Sequence, residues 1–300
     1  MDRPYSNYFE HKHHNIQKAK ERIKKSNNDL AISQYTEYSV DNSEFFRHLD
    51  DKVLAHCTAY NGERLPDISI VPETTTQALY RMDTEDKFHQ NKYTILDFAD
   101  FIKPGGMFLD GSMAQEESLC HNSNLFNILN SGWKFENHYW NNAKDLITCY
   151  KRFSDAGIMI PDVAFSDPDV TDDVTHFADV IVLAAPDRRR MDKREPAVDE
   201  LFIDALRDRI RMIFKICYEF YSNRPSTEED KDKKRILILG AFGCGVFRND
   251  PKMVATFMLD CLEKGYANMF DEVVFAIPAG VNNAAFIKAF KDNINVYIET

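Results

Sequence analysis

The sequence lacks any run of about 18 consecutive apolar residues, so no segment reads as a membrane-spanning helix. Its N-terminus, MDRPYSNYFEHKHH, has no apolar core of the kind a secretion signal needs. The six cysteines (Cys57, Cys120, Cys149, Cys217, Cys244, Cys261) are scattered, with no C-x-x-C pair, which reads as reduced thiols, some of them buried. Basic charge is in deficit: 37 Lys and Arg stand against 48 Asp and Glu, a formal net charge of -11. A surface of that sign repels nucleic acid in general. It leaves room for a phosphate-bearing ligand held locally by backbone amides. No internal repeat or low-complexity tract is present, and no metal-ligand set stands out. A cytosolic place of action is the default, in the source cell or in one that receives the protein.

What remains is 300 residues, 44% hydrophobic, enough for one large core or two unequal ones. Residues 1–60 read as a polar, charged helical accessory region, with NIQKAKERIKKSNNDLAIS ending in an Asn-Asn-Asp cluster. From about Pro66 strands and helices alternate. DISIV, KYTILDFA, GIMIPDVAF, ADVIVLAA, RILILG, EVVFAI and NVYI read as strands, several of them apolar enough to be buried on both faces. Between them, Val198–Tyr221 carries an apolar stripe at helical spacing, and PKMVATFMLDCLEKG starts with proline and ends in glycine as a helix should. RPSTEEDKDKKR reads as a solvated loop. The alternation predicts an α/β layered fold with a largely parallel sheet and its ligand at the strands' carboxyl ends.

Two segments are placed for such a ligand. In KYTILDFADFIKPGGMFLDGSMAQEESLC a strand runs into Pro104-Gly105-Gly106, a turn stripped of side chains, and then into a helix opening with Gln115, Glu116 and Glu117. Consecutive helical residues point about 100° apart, so the two glutamates have different tasks. The helix dipole favours them as anions, whereas a general acid needs the raised pKa that desolvation supplies. In ILILGAFGCGVFRNDPKMVA, Gly240, Gly243 and Gly245 join a strand to a helix, a joint able to cradle a diphosphate. Either segment alone also fits an ordinary tight joint.

Together, and in this order, they resemble the microbial-type poly(ADP-ribose) glycohydrolases, whose pattern is N/D-F-A-N, a glycine triplet, and Gln-Glu-Glu. The resemblance implies a three-layer α/β/α macrodomain-like sandwich over residues 61–300 with a mixed, largely parallel sheet, residues 1–60 being a helical extension. It implies hydrolysis at the anomeric carbon of ADP-ribose, borne by a polymer or a modified macromolecule, with neither metal nor cofactor. By the same resemblance Glu117 is the catalytic acid/base, Glu116 binds ribose hydroxyls, and Gln115 shapes the site. Gly105, Gly106 and Met107 form the catalytic loop; Gly243, Cys244, Gly245, Val246 and Phe247 form the diphosphate loop. Asp97 and Asp100, from the DFAD segment, join the ligand contacts, and Phe275 is a candidate for adenine. Two letters depart from the pattern: Met107 replaces the third glycine and Asp100 the strand-end asparagine. They suggest tuning toward mono-ADP-ribose, for example on arginine. A non-catalytic ADP-ribose reader is the alternative.

Further features read as structural: the histidines of HKHH (His11, His13, His14), His138 and His176. PDRRRMDKR, with Arg188, Arg189 and Arg190, reads as a solvated loop that attracts anions only if it lies at the sheet's carboxyl edge.

Overall fold

The computed structural model describes residues 4–59, 65–86, 91–148, 155–166, 176–190, 196–224, 233–291 and 297–298. Cys149, most of RPSTEEDKDKKR, residues 191–194 of the arginine-rich segment and the start of NVYI lie outside them.

The chain opens with α1 (Pro4–Asn28) and α2 (Leu30–Asn42), followed by β1 (Glu44–Arg47) and α3 (Lys52–Ala59). The Asn-Asn-Asp cluster is a joint: the Asp29 carboxylate accepts the N–H groups of Ala31 and Ile32 at 3.0 and 3.2 Å and starts α2. Then come β2 (Asp67–Val71), α4 (Thr75–Glu85), β3 (Lys92–Phe98), α5 (Gln115–Asn122), α6 (Leu125–Leu129) and α7 (Trp133–Thr148). The remainder is β4 (Ala156–Phe165), β5 (His176–Leu183), α8 (Pro196–Ser222), β6 (Arg235–Leu239), α9 (Pro251–Glu263), β7 (Glu272–Ala276), α10 (Val281–Lys291) and β8 (Tyr297–Ile298).

The strands form one eight-stranded sheet in the order β1-β4-β5-β3-β6-β7-β2-β8. β5, β3, β6, β7, β2 and β8 run parallel; β4 is antiparallel to β5 and to β1. Period-two alternation sends successive residues to opposite cores. Leu237 and Leu239 face α8 and α9, while Ile236 and Ile238 face the layer holding α4 to α7. The result is the expected α/β/α arrangement. No described helix is long and apolar enough to cross a membrane.

Two helical expectations change. Residues 1–60 are not helical throughout: Glu44–Arg47 pair with Ala156–Met159 and supply the edge strand β1. The helix after Gln-Glu-Glu is not continuous. Ser123 is extended and bridges Phe165, and Asn124 exchanges bonds with Ala164 through its N–H (3.1 Å) and Oδ1 (3.0 Å). That pairing with the end of β4 divides α5 from α6.

Near the amino ends of β3 and β5, partly buried Asp179 accepts the Asp162 N–H at 3.0 Å and the Tyr221 hydroxyl at 2.6 Å. Burial, with Asp162 adding, raises its pKa from 3.8 to about 6. The folded state therefore binds the proton more tightly than the unfolded chain. Stability from this group is full below about pH 4 and is lost as the pH rises through about 6. The loss is about 2 kcal/mol once partial exposure is allowed for. In Asp179→Asn the amide keeps both contacts, because Tyr221 can turn its proton to Thr94 Oγ, 2.7 Å away. Denaturant titrations at pH 4 and pH 7 should show that the variant lacks this fall; an identical pH dependence would refute it.

Candidate active site

β3 ends at Phe98 and releases the chain into a loop that returns through Gly105 and Gly106 to α5. Gln115 ties the two ends together. Its Oε1 accepts the Phe98 N–H at 2.8 Å and its Nε2 donates to Leu96 O at 2.8 Å, so the side chain imitates a neighbouring strand. The glutamates then take opposite ends of the loop. Glu116 Oε2 accepts the Asp100 N–H at 2.7 Å, and Glu117 Oε1 accepts the Met107 N–H at 2.9 Å.

Between these bonds lies Gly106 with φ +58°, where an added Cβ would stand 2.8 Å from Glu117 Oε1 and 2.9 Å from Glu116 Oε2. Gly105 has φ +68° and its Cβ would meet Phe126 at 2.7 Å. The glycine pair thus combines a left-handed backbone with close approach to the carboxylates. Met107 has φ -103°, a conformation any residue adopts. Its side chain is 43% exposed, with Sδ 3.5 Å from Lys103 Nζ, and only its N–H engages the site. Asp100 Oδ1 accepts the N–H groups of Ile102 and Lys103, both at 2.8 Å, and so caps the loop. Of the two departures from the family pattern, Asp100 thus has a local role, while the Met107 side chain stays exposed.

Glu116 and Glu117 are 3% and 6% exposed, and they differ in one respect that matters. Glu116 Oε1 is buried and unpartnered, as are both carboxyl oxygens of fully buried Asp97 and the Tyr139 hydroxyl from α7. Glu117 Oε2 is not among these sealed atoms and makes no hydrogen bond among the described residues, so it keeps some access from outside. Burial drives the Asp97 and Glu116 pKa values well above the carboxylate range, with Glu117 adding at Asp97 and Asp97 adding at Glu116. Desolvation thus overrides the helix dipole at Glu116.

The glycine-rich segment after β6 folds into tight turns, with Arg248 N–H to Gly245 O and Asn249 N–H to Gly243 O, both 3.1 Å. The N–H groups of Gly243, Gly245, Val246 and Phe247 donate to no group among the described residues. A Cβ on Gly243 would meet Ala185 at 2.6 Å, whereas Gly245 faces open space. Burial pushes the Cys244 thiol up to about 12, so it stays protonated, and its N–H already donates to Ala241 O at 3.0 Å.

Between the two loops lies a cavity of about 390 Å³ along the carboxyl ends of β3, β6, β7 and β2. Phe98, Gln115, Gly243, Gly245, Val246 and Phe247 line it. Glu116 and Glu117 do not; they occupy the adjoining side of the same α5 turn. The opposite wall is Thr74–Thr76, which the sequence reading missed. Its signal was present: Thr74 and Gln77 form a capping box at the end of β2.

Phe275 is a correction. Val274 and Ala276 face the α4-to-α7 core, so Phe275 points the other way, fully buried between Phe286 and Phe290 of α10. It does not line the cavity. The arginine-rich segment does lie at the carboxyl edge: Asp187 grips Arg189 at 2.9 and 2.8 Å, and the guanidinium sits 5.4 Å over Phe247. His176 pairs with Asp83 at 2.6 Å, away from the site.

This geometry has relatives. The profile of the microbial-type PARG catalytic domain matches residues 11–165. The structure is similar to that of poly(ADP-ribose) glycohydrolase from Deinococcus radiodurans in complex with ADP-ribose, with 25% identity and a TM-score of 0.71 over 86% of this chain and 98% of that one. It is similar in fold to the Thermomonospora curvata poly(ADP-ribose) glycohydrolase bound to the inhibitor ADP-HPD: 24% identity, TM-score 0.71, 93% of this chain and 100% of that one. No curated protein matches the chain.

Proposed function

The chain belongs to the microbial-type poly(ADP-ribose) glycohydrolases, and on that footing we propose that it cleaves the glycosidic bond at the anomeric carbon of ADP-ribose with Glu117 as acid and then base. The observation that carries this reading is the accessible Oε2 of Glu117 beside a Glu116 whose free oxygen is enclosed. The cavity is large enough for a nucleotide. The unpaired amides of Gly243, Gly245, Val246 and Phe247 supply donors for the diphosphate. Bound there, the ADP moiety holds the ribose in register with Glu117, so binding energy from the unreacting part positions the reacting carbon.

The protonated Glu117 gives its proton to the departing group as the bond breaks and oxocarbenium character develops. The resulting carboxylate takes a proton from water, and the hydroxide oxygen bonds to the anomeric carbon, restoring the acid. Burial holds Glu116 and Asp97 toward their neutral forms. Asp100 Oδ1 caps the loop and the Met107 side chain stays exposed, so neither gives a positive reason to assign a preference for arginine-linked mono-ADP-ribose. The natural substrate on this reading is the polymer. Free buried thiols at Cys57, Cys120, Cys217 and Cys261 support a reducing, cytosolic setting.

The test is release of ADP-ribose from polymer and from arginine-linked, mono-ADP-ribosylated protein. Turnover of polymer at the higher kcat/KM is expected. Tight binding of ADP-ribose without turnover of any substrate would instead identify a reader.

A further inference from the structure

No described residue of α1 lines the cavity, yet the packed face of this helix lies along the segment that carries Glu117. Asn15, Ala19, Arg22 and Ser26 are half-buried or buried and form one stripe at helical spacing. Asn15 Nδ2 donates to Gly111 O at 3.2 Å. Further along the stripe, Arg22 donates from Nε to Ser123 O at 2.9 Å and from Nη1 to Ser166 Oγ at 2.7 Å. Near the helix end, Asn27 Oδ1 accepts Asn127 Nδ2 at 2.8 Å. The helix thus holds the chain on both sides of Glu117: at the turn before α5, and at Ser123, where α5 ends.

The contact at Gly111 is the one that reaches the chemistry. Gly111 has φ +78° and closes the short 3-10 turn Phe108–Asp110, its N–H bonded to Phe108 O at 3.2 Å. The Ser112 N–H returns to Met107 O at 3.2 Å, so the turn closes on Met107 itself. The Met107 N–H in turn holds Glu117 Oε1 at 2.9 Å. Helix and turn meet closely, for a Cβ on Gly111 would stand 2.6 Å from Lys12 O and 3.1 Å from Ile16 Cγ1. Fully buried Phe108 packs against His121 and Phe126 and fixes the turn from within. From without, Asn15 ties it to α1; among the described residues no other side chain hydrogen-bonds to residues 108–112.

We propose that Asn15 is a positioning residue for Glu117, acting through Gly111 and the turn that closes on Met107. α1 is then part of the framework of the active site. This rests on the glycohydrolase reading above and adds to it a residue remote from the cavity. An anchor so placed holds the reacting carboxyl without touching the nucleotide, so its loss is felt in the chemical step and not in ADP-ribose binding.

The experiment is Asn15→Leu, which keeps the bulk of the side chain and removes its donor, made in the natural chain and in Glu117→Gln. Single turnover of polymer with enzyme in excess reads the rate in both backgrounds. In the natural chain the rate should fall about tenfold, less than the hundredfold of a 1 Å misplacement. ADP-ribose affinity by calorimetry should stay within about twofold, and circular dichroism should show the variant folded at the assay temperature. In Glu117→Gln, where residue 117 has no proton to place, Asn15→Leu should leave the residual rate unchanged. Equal falls in the two backgrounds would overturn the proposal, because they mark a general weakening of the fold. So would a loss of affinity as large as the loss of rate, or a natural-background rate that does not fall. Absence of turnover by the natural protein on every substrate counts against the glycohydrolase reading alone. The brace is then read by amide hydrogen exchange at Met107, which Asn15→Leu must speed about tenfold for it to stand.

Discussion

Replacing Glu117 with glutamine is expected to lower kcat by about 10²- to 10⁴-fold, the range for loss of a general acid and base, while leaving ADP-ribose affinity nearly unchanged. The separation of the two effects follows from the site's layout. The cavity that would take the nucleotide is lined by Gln115, Phe98 and the Gly243–Phe247 loop, not by Glu117. A glutamine at 117 still accepts the Met107 N–H through Oε1, so the loop keeps its anchor. What disappears is the proton at Oε2. Steady-state kinetics on polymer, with calorimetry of ADP-ribose binding, reads both. A variant within tenfold of the natural kcat would remove Glu117 from the chemistry. Glu116→Gln serves as the contrast: Oε1 of the new amide can still take the Asp100 N–H, and the enclosed position favours a neutral group. Its kcat should fall far less.

Gly106→Ala should damage both fold and turnover. The left-handed φ of +58° costs a side-chain-bearing residue about 1–3 kcal/mol. The methyl group would also lie within 3 Å of oxygens from Glu117 and Glu116, so both carboxylates must move. A displacement of about 1 Å at a reacting group costs on the order of 10² in rate. We therefore expect a 1–3 kcal/mol loss in denaturant unfolding together with a roughly hundredfold drop in kcat. Met107→Gly is the control. With φ at -103° and an exposed thioether, position 107 makes no demand for or against glycine, and activity should stay within about threefold. If the two variants behaved alike, the close approach at Gly106 would not be what positions the carboxylates.

Much of this was legible in the chain because its signals are local. The strands announce themselves as short aliphatic runs, and two glycine-bearing turns sit where parallel strands end. The rest depends on partners far away in sequence. EFFR at 44–47 is four residues long inside a polar, helical region, and only its pairing with β4 makes it a strand. EVVFAI is apolar at nearly every position, so alternation cannot say which way Phe275 points until Val274 and Ala276 are packed. Asp100 read as a ligand contact because a carboxylate advertises charge; the two amides that its Oδ1 accepts become visible only once the loop is folded. The inequality between Glu116 and Glu117 was also out of reach, since it depends on the burial of one oxygen atom.

The place of β2 in the sheet governs how the molecule can be made. Asp67–Val71 lies between β7 and β8, with Asp67 in register with Glu272 and Ser69 with Tyr297. During synthesis β2 leaves the ribosome about 200 residues before either neighbour, an interval of about 10–40 s at ordinary elongation rates. Throughout that time an apolar strand waits with both edges unmatched, the state in which nascent chains aggregate or recruit chaperones. Shielding DISIV until the last thirty or so residues emerge is therefore a demand on the folding of this chain, and a chain stopped short of β7 would leave both edges of that strand unmatched.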